Sequence, residues 1–306
     1  MPSPRPAQTN DPVEFQENNA ESVVVRFIDN TNGYSDKSNS GQQRLHCGEV
    51  SMMHTANELD EKNVHLWCFS LDDCSRNVSH YEHLLSEDER ARAGRFHFDE
   101  DRRRYLVAHG ALRTILSSYL RREPQSILFR KSEAGKPEII WVRSDPPITF
   151  NLSHSGAAVL VGVARDRRIG VDIEQLKTRI DVVGIAERHF TREELDTLRT
   201  KSNDDRYKSF FSLWTCKEAY LKAIGCGLSG GLRNVALSEQ ADRWSLSCET
   251  GDGSRRLDHW TIRSLKLKDG YAAAVAIEGT DLVLSWPESF LNREKQLIDR
   301  ENKTCC

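Results

Sequence analysis

The chain has 306 residues, 38% of them apolar, with 43 Lys and Arg against 46 Asp and Glu. That length holds one large domain or two ordinary ones, and the near-balanced charge excludes a general electrostatic pull toward nucleic acid. No apolar run is long enough to cross a bilayer, the N-terminus has no apolar secretory core, and the eight cysteines form no CxxC pair or zinc spacing; reduced thiols in a cytoplasmic protein with neither membrane nor nucleic-acid partners are expected.

Residues 1–60 are rich in Asn, Ser, Asp, Gln and Pro. They show no regular period, so a mostly disordered extension is expected, with one candidate strand in ESVVVRFID. Order is expected to begin at NVHLWCFSL, a first strand. From Ser86 to about Leu120 the composition is helical. Ser86 and Glu89 make a capping box, and Tyr105, Leu106, Ala108, Leu112, Ile115, Leu116 and Tyr119 recur at helical spacing. Glu123-Pro124 stops that stretch. SILFRKSEAGKPEIIWV reads as two short strands around a turn at Gly135. ITF, AAVLVGVA and RIGVDIE read as strands, with NLSHSG as a polar loop after the first. Thr191 and Glu194 give a second capping box. RYKSFFSLWTCKEAYLKAIG is a long helix stopped by glycines from Gly225. VALS, RWSLSC, WTIRSL, GYAAAVAI and LVLSW alternate as short strands, and a charged tail begins near Asn292. The expected fold is α+β, with two similar lobes and a cleft between them. The division is an extension at 1–60, lobes at 61–164 and 165–288, and a tail at 289–306.

Five groups of residues carry chemistry. In Gly170-Val171-Asp172-Ile173-Glu174, strand alternation puts Asp172 and Glu174 on one face and Val171 and Ile173 behind. Two adjacent carboxylates suit a hard divalent cation; the plain alternative is a solvated edge strand. In the helix WTCKEAYLK, Glu218 and Lys222 stand at i and i+4 on the rim of an apolar arc. A helix-stabilising ion pair explains those two but not Lys217, which falls inside the arc, where a charge is costly unless paired. Asn151, Ser153 and His154 sit where ligand crevices form, at the end of a strand, although a single His is also a common structural hydrogen-bonder. Lys131 to Pro137 is a glycine-containing basic turn, either a plain hairpin or a close approach for a ligand. The basic stretch at Arg90, Arg92, Arg95 and Arg102 to Arg104 is a solvated helix face or a set of phosphate contacts. A metal-dependent phosphodiesterase or nuclease and a non-catalytic binding protein remain alternatives at this point.

In this order the five groups resemble the Sfp-type 4'-phosphopantetheinyl transferases. The match runs from about Leu84 to Leu232 and is carried by GVDIE, WTCKEAYLK, GKP and NLSHS. The resemblance implies a pseudo-dimeric α+β fold in which each lobe packs a long helix on a small, mostly antiparallel sheet, with coenzyme A between the lobes. It implies Mg²⁺-dependent transfer of phosphopantetheine from the co-substrate coenzyme A to an apo acyl or peptidyl carrier protein, by a monomer. It makes Asp172, Glu174 and Glu218 the metal ligands, and Asp172, Glu218 and Lys222 the catalytic set. Arg92, Lys131, Gly135, Lys136, Asn151, Ser153, His154 and Lys222 fall on the coenzyme A side. Glu89 stands where some members carry a second basic residue. A carrier-docking lip is expected at Arg179, Arg188, Phe190, Tyr207 and Lys208, from the mix of basic and aromatic residues.

Overall fold

Two 22-residue helices organise the chain, and each has a local cause. The computed structural model describes residues 59–74, 78–133, 135–177, 180–226, 231–240, 243–248, 255–256, 259–267 and 270–287. The candidate strand within 21–29 and the charged tail lie outside these residues. The described chain begins with β1 (Asn63–Ser70), a short α1 (Leu71–Cys74), α2 (Val78–Leu84) and α3 (Glu87–Ala93), followed by α4 (Asp99–Leu120). The Ser86 capping box is formed: the Glu89 amide donates to Ser86 Oγ, and the Ser86 amide donates to Glu89 Oε2. The helix it opens does not run on to Leu120. Gly94 caps α3, and α4 restarts after Phe98. The break lets Ala93 and Phe96 fold back onto Tyr105 and Leu106 in a small apolar cluster. Arg121, in the left-handed region at φ 52°, ends α4 ahead of Glu123-Pro124.

A hairpin of β2 (Phe129–Lys131) and β3 (Pro137–Ile139) turns at Gly135, whose φ of 82° only glycine adopts without strain. Then follow β4 (Ile148–His154), β5 (Ala158–Arg165) and β6 (Ile169–Gln175). NLSH is therefore strand rather than loop: it pairs antiparallel with β5 through His154. The second half contains α5 (Val182–His189), α6 (Arg192–Thr200), α7 (Asn203–Ile224), β7 (Val235–Gln240), β8 (Arg243–Cys248), β9 (Arg255–Arg256), β10 (Trp260–Leu265), β11 (Tyr271–Glu278) and β12 (Val283–Ser285). The Thr191 capping box opens α6. Gly225, with φ 72°, ends α7 as its C-cap.

One sheet has the order β12-β1-β5-β4 and the other β6-β11-β10-β8-β7, with β9 on β8. The fold is thus mixed helix and sheet, and the sheets are mostly antiparallel. The parallel β12–β1 pair is the exception. Through it, residues 283–285 add an edge strand to the first sheet. Strands β6 and β11 separate two cores. Val171, Ile173, Val275 and Ile277 face a core shared with β1, β4, β5 and α4. Ala274 and Ala276 face a second core built with α5, α6 and α7.

Candidate active site

Strand alternation puts Gly170, Asp172 and Glu174 on the side of β6 that meets α7. Gly170 makes that meeting close. A Cβ there would run into the Ala219 carbonyl oxygen and the Ala223 amide nitrogen. Asp172 is 3% exposed. Its Oδ1 accepts from Ser153 Oγ at 3.0 Å and from Lys222 Nζ at 2.7 Å, and Lys222 also donates to Ser153 Oγ at 2.9 Å. Its Oδ2 is buried with no hydrogen-bond partner, as is Oε1 of Glu218, which is 8% exposed on α7. Glu174, at the end of β6, accepts from Ser155 Oγ at 2.8 Å, and the same Ser155 oxygen accepts from the Gln175 amide.

Burial is the main force on these acids. Burial and then the Asp172 charge push Glu218 up to about 8, against Lys222. Burial and then Asp172 push Glu174 up to about 7, against the Ser155 hydrogen bond. Burial disfavours the Lys222 ammonium, but Asp172 and Glu218 outweigh it and its pKa is raised. The result is two raised carboxyls, a buried Asp and a firmly charged lysine in one place. Among the described residues, no three His, Cys, Asp or Glu side chains already close into a metal cage. Two unpartnered carboxylate oxygens instead stand on facing elements, a donor set that would suit a divalent cation completed by water or ligand oxygens.

The other expected residues divide. Ser153 belongs to the cluster. Asn151 is buried, and its Oδ1 accepts from the Val171 amide at 2.8 Å, tying β4 to β6. Half-buried His154 ends β4. Lys136 reaches from the hairpin to the Ile169 carbonyl at 3.0 Å and the Ala223 carbonyl at 3.5 Å. Burial lowers its pKa to about 8. Lys131 and Gly135 are exposed in the hairpin. Arg92 lies over the Tyr105 ring, 5.5 Å from its centre. Several neighbours in the basic stretch are committed within the fold: Arg90 to the Leu85 carbonyl, Arg102 to Glu82, Arg104 to Asp72 and Glu100. Glu89 serves the capping box and meets buried Arg113 at 2.8 Å. Burial alone would raise its pKa, but hydrogen bonding from His109 and the Arg113 charge hold it down at about 2. In the expected docking lip, Arg179 lies outside the described residues. Phe190 is corrected to core: it is 2% exposed and packs on Phe210 and Trp214. Tyr207 is half-buried on Phe211, while Arg188 and Lys208 are exposed.

A profile described as the 4'-phosphopantetheinyl transferase superfamily matches residues 168–276, and one described as 4'-phosphopantetheinyl transferase, N-terminal, matches residues 72–165. The 4'-phosphopantetheinyl transferase HetI of Nostoc is 37% identical over 216 residues, covering 71% of this chain and 88% of that protein. The chain belongs to the 4'-phosphopantetheinyl transferase superfamily. Sfp of Bacillus subtilis is 30% identical over 198 residues, 65% of this chain and 84% of Sfp, which accords with the Sfp-type motifs. A holo-(acyl-carrier-protein) synthase from Bacillus anthracis, solved with CoA (3',5'-ADP), covers 36% of this chain and 94% of its own at 20% identity and a TM-score of 0.30; the assignment rests on the sequence relatives.

In this transferase, two residues have a role that local sequence pattern does not show. Ser155 is fully buried and orients Glu174. Its signal was the period-2 spacing of Asn151, Ser153 and Ser155, a strand pattern in polar letters. The other is Glu194, legible as a cap but not as the partner of Lys217, because that pairing spans 23 residues.

Proposed function

We propose that this transferase moves the 4'-phosphopantetheine group of coenzyme A to a serine hydroxyl of an apo acyl or peptidyl carrier protein and releases adenosine 3',5'-bisphosphate. The observation that carries the proposal is the pair of unpartnered buried oxygens, Asp172 Oδ2 and Glu218 Oε1, beside the Lys222 ammonium. Unpaired buried carboxylates are costly unless something cationic meets them. Asp172 and Glu218, with Glu174 next to them, would hold Mg²⁺. When bound, that ion neutralises charge on the diphosphate and on the leaving group.

Lys222, held by Asp172 and Ser153, adds positive charge where the leaving phosphate gains negative charge. Glu218, ionised when it holds the cation, would accept the serine proton directly or through a water. Ser153 and Ser155 fix the orientation of the two β6 acids. The seam where β4 runs beside β6 would be the cleft of a pseudo-dimer, with coenzyme A across it. Lys131, His154 and Arg92 would then meet the nucleotide directly, while Asn151 and Lys136 act through the backbone they hold. Exposed Arg188 and Lys208 offer positive charge to an acidic carrier. One chain supplies both halves, so a monomer suffices.

The test is mass spectrometry of an apo carrier incubated with the protein, coenzyme A and Mg²⁺. One serine should gain a phosphopantetheine group, and E218Q should lower kcat by roughly 100-fold or more. Cleavage of coenzyme A without a carrier would instead identify a phosphodiesterase. Coenzyme A binding with no transfer would identify a binder.

A further inference from the structure

Lys217 precedes Glu218 on α7, is fully buried, and takes no part in the chemistry above. Its ammonium donates to Glu194 Oε2 at 2.5 Å and to the Leu232 carbonyl at 3.0 Å, and it lies 5.0 Å from the centre of the Phe190 ring. Glu194 is equally committed. Its Oε2 accepts from the Thr191 amide and its Oε1 from the Leu237 amide. One ion pair therefore ties the start of α6, the turn before β7 and β7 itself to the turn of α7 that carries Glu218.

Buried ion pairs are poor glue, since apolar side chains of the same shape often stabilise a fold as well. They do impose direction. An ammonium must meet its carboxylate and carbonyl at hydrogen-bonding distance, whereas an apolar contact tolerates sliding and rolling. Successive helical residues stand about 100° apart, so fixing Lys217 fixes where Glu218 points. Lys222, four residues on, shares the face of Glu218.

We infer that the Lys217–Glu194 ion pair sets the roll of α7 so that Glu218 and Lys222 both face Asp172. This rests on the transferase chemistry proposed for that face. It makes Lys217 and Glu194 positioning residues, which touch neither substrate nor reacting atoms.

The test compares the full-length parent with the double variant K217M and E194Q. Both charges go together, volumes are nearly kept, and no uncompensated charge is left buried. The thermal midpoint should stay within about 5 °C of the parent. With the fold intact, kcat should fall about tenfold or more while the KM for coenzyme A changes by less than about twofold. K217R, which keeps the charge but displaces the donor atoms, should show the same split. A folded double variant with the parent's kcat overturns the inference. Amide hydrogen exchange without substrates provides a measure that needs no activity. Protection across Glu218 to Lys222 should drop about tenfold in the double variant. If the parent fails to modify a carrier, the transferase proposal fails by itself. The ion pair is then decided by exchange, where unchanged protection overturns it.

Discussion

At Asp172 one oxygen is shared by Ser153 and Lys222 while the other meets nothing, and across from it Glu218 has an oxygen in the same condition. Such a site holds Glu218 against its own ionisation, and that has a measurable sign. Glu218 is raised to about 8 when no cation is present, against about 4.3 in an unfolded chain. The folded protein thus keeps a proton that the unfolded chain has released. The stability this contributes is complete below about pH 4.3 and is lost as pH rises through about 8. E218Q cannot ionise. In a chelator-containing buffer it should melt a few °C above the parent at pH 9, with the gap nearly closed at pH 5, by differential scanning calorimetry. Restoring Mg²⁺ should raise the parent's midpoint and leave the variant's nearly unmoved. The acids themselves were legible because strand period 2 and helix spacing i, i+4 are local rules. Which oxygen stays free was not, since that depends on Ser153 and Lys222 arriving from β4 and α7.

Among the elements, the contact of β6 with α7 carries the site, and Gly170 sets how close it is. An added Cβ would meet the Ala219 carbonyl and the Ala223 amide, both backbone, so no rotamer change relieves it. G170A should destabilise the protein by about 2 kcal/mol or more in urea unfolding. It should also lower kcat, because Asp172 moves away from Lys222. Element boundaries were readable where their causes were short-range. Ser86 with Glu89, Thr191 with Glu194, and Gly225 at the end of α7 all act within one turn. Two elements misled for physical reasons. The helical pattern from Ser86 to Leu120 hides a break at Gly94, because folding Phe96 onto Tyr105 is a tertiary gain. Asn151 to His154 looked like loop because polar side chains usually face water. Here Asn151 and Ser153 face the backbone and acid of β6, where both are satisfied.

Across the whole molecule, β4 and β6 are edge strands of different sheets, and polar side chains join them. Asn151 holds the Val171 amide, Ser153 holds Asp172, and Ser155 holds Glu174 and the Gln175 amide. The polar cluster is thus also the joint between the two sheets, and β12 returns to pair with β1 at the edge of the first sheet away from β4. No sequence period announces a parallel pairing between residues more than 200 positions apart, so β12 read only as one more strand of the second half. Lys136 is the clearest case in which this joint competes with ligand binding. The resemblance put it beside the nucleotide, but its ammonium sits on the Ile169 carbonyl, at the start of β6, and on the Ala223 carbonyl, in the last turn of α7. A cation at a helix C-terminus is favoured by the exposed carbonyls there. It links the two elements that hold Asp172 and Glu218. Replacing it with Met leaves both carbonyls without that donor, so K136M should lose about 2 kcal/mol of stability with no ligand present. A group that served only the nucleotide would leave the ligand-free thermal midpoint unchanged and weaken coenzyme A binding alone. Calorimetric melting of the ligand-free variant beside a coenzyme A titration separates the two roles, and a lowered midpoint before any coenzyme A is added is the expected outcome.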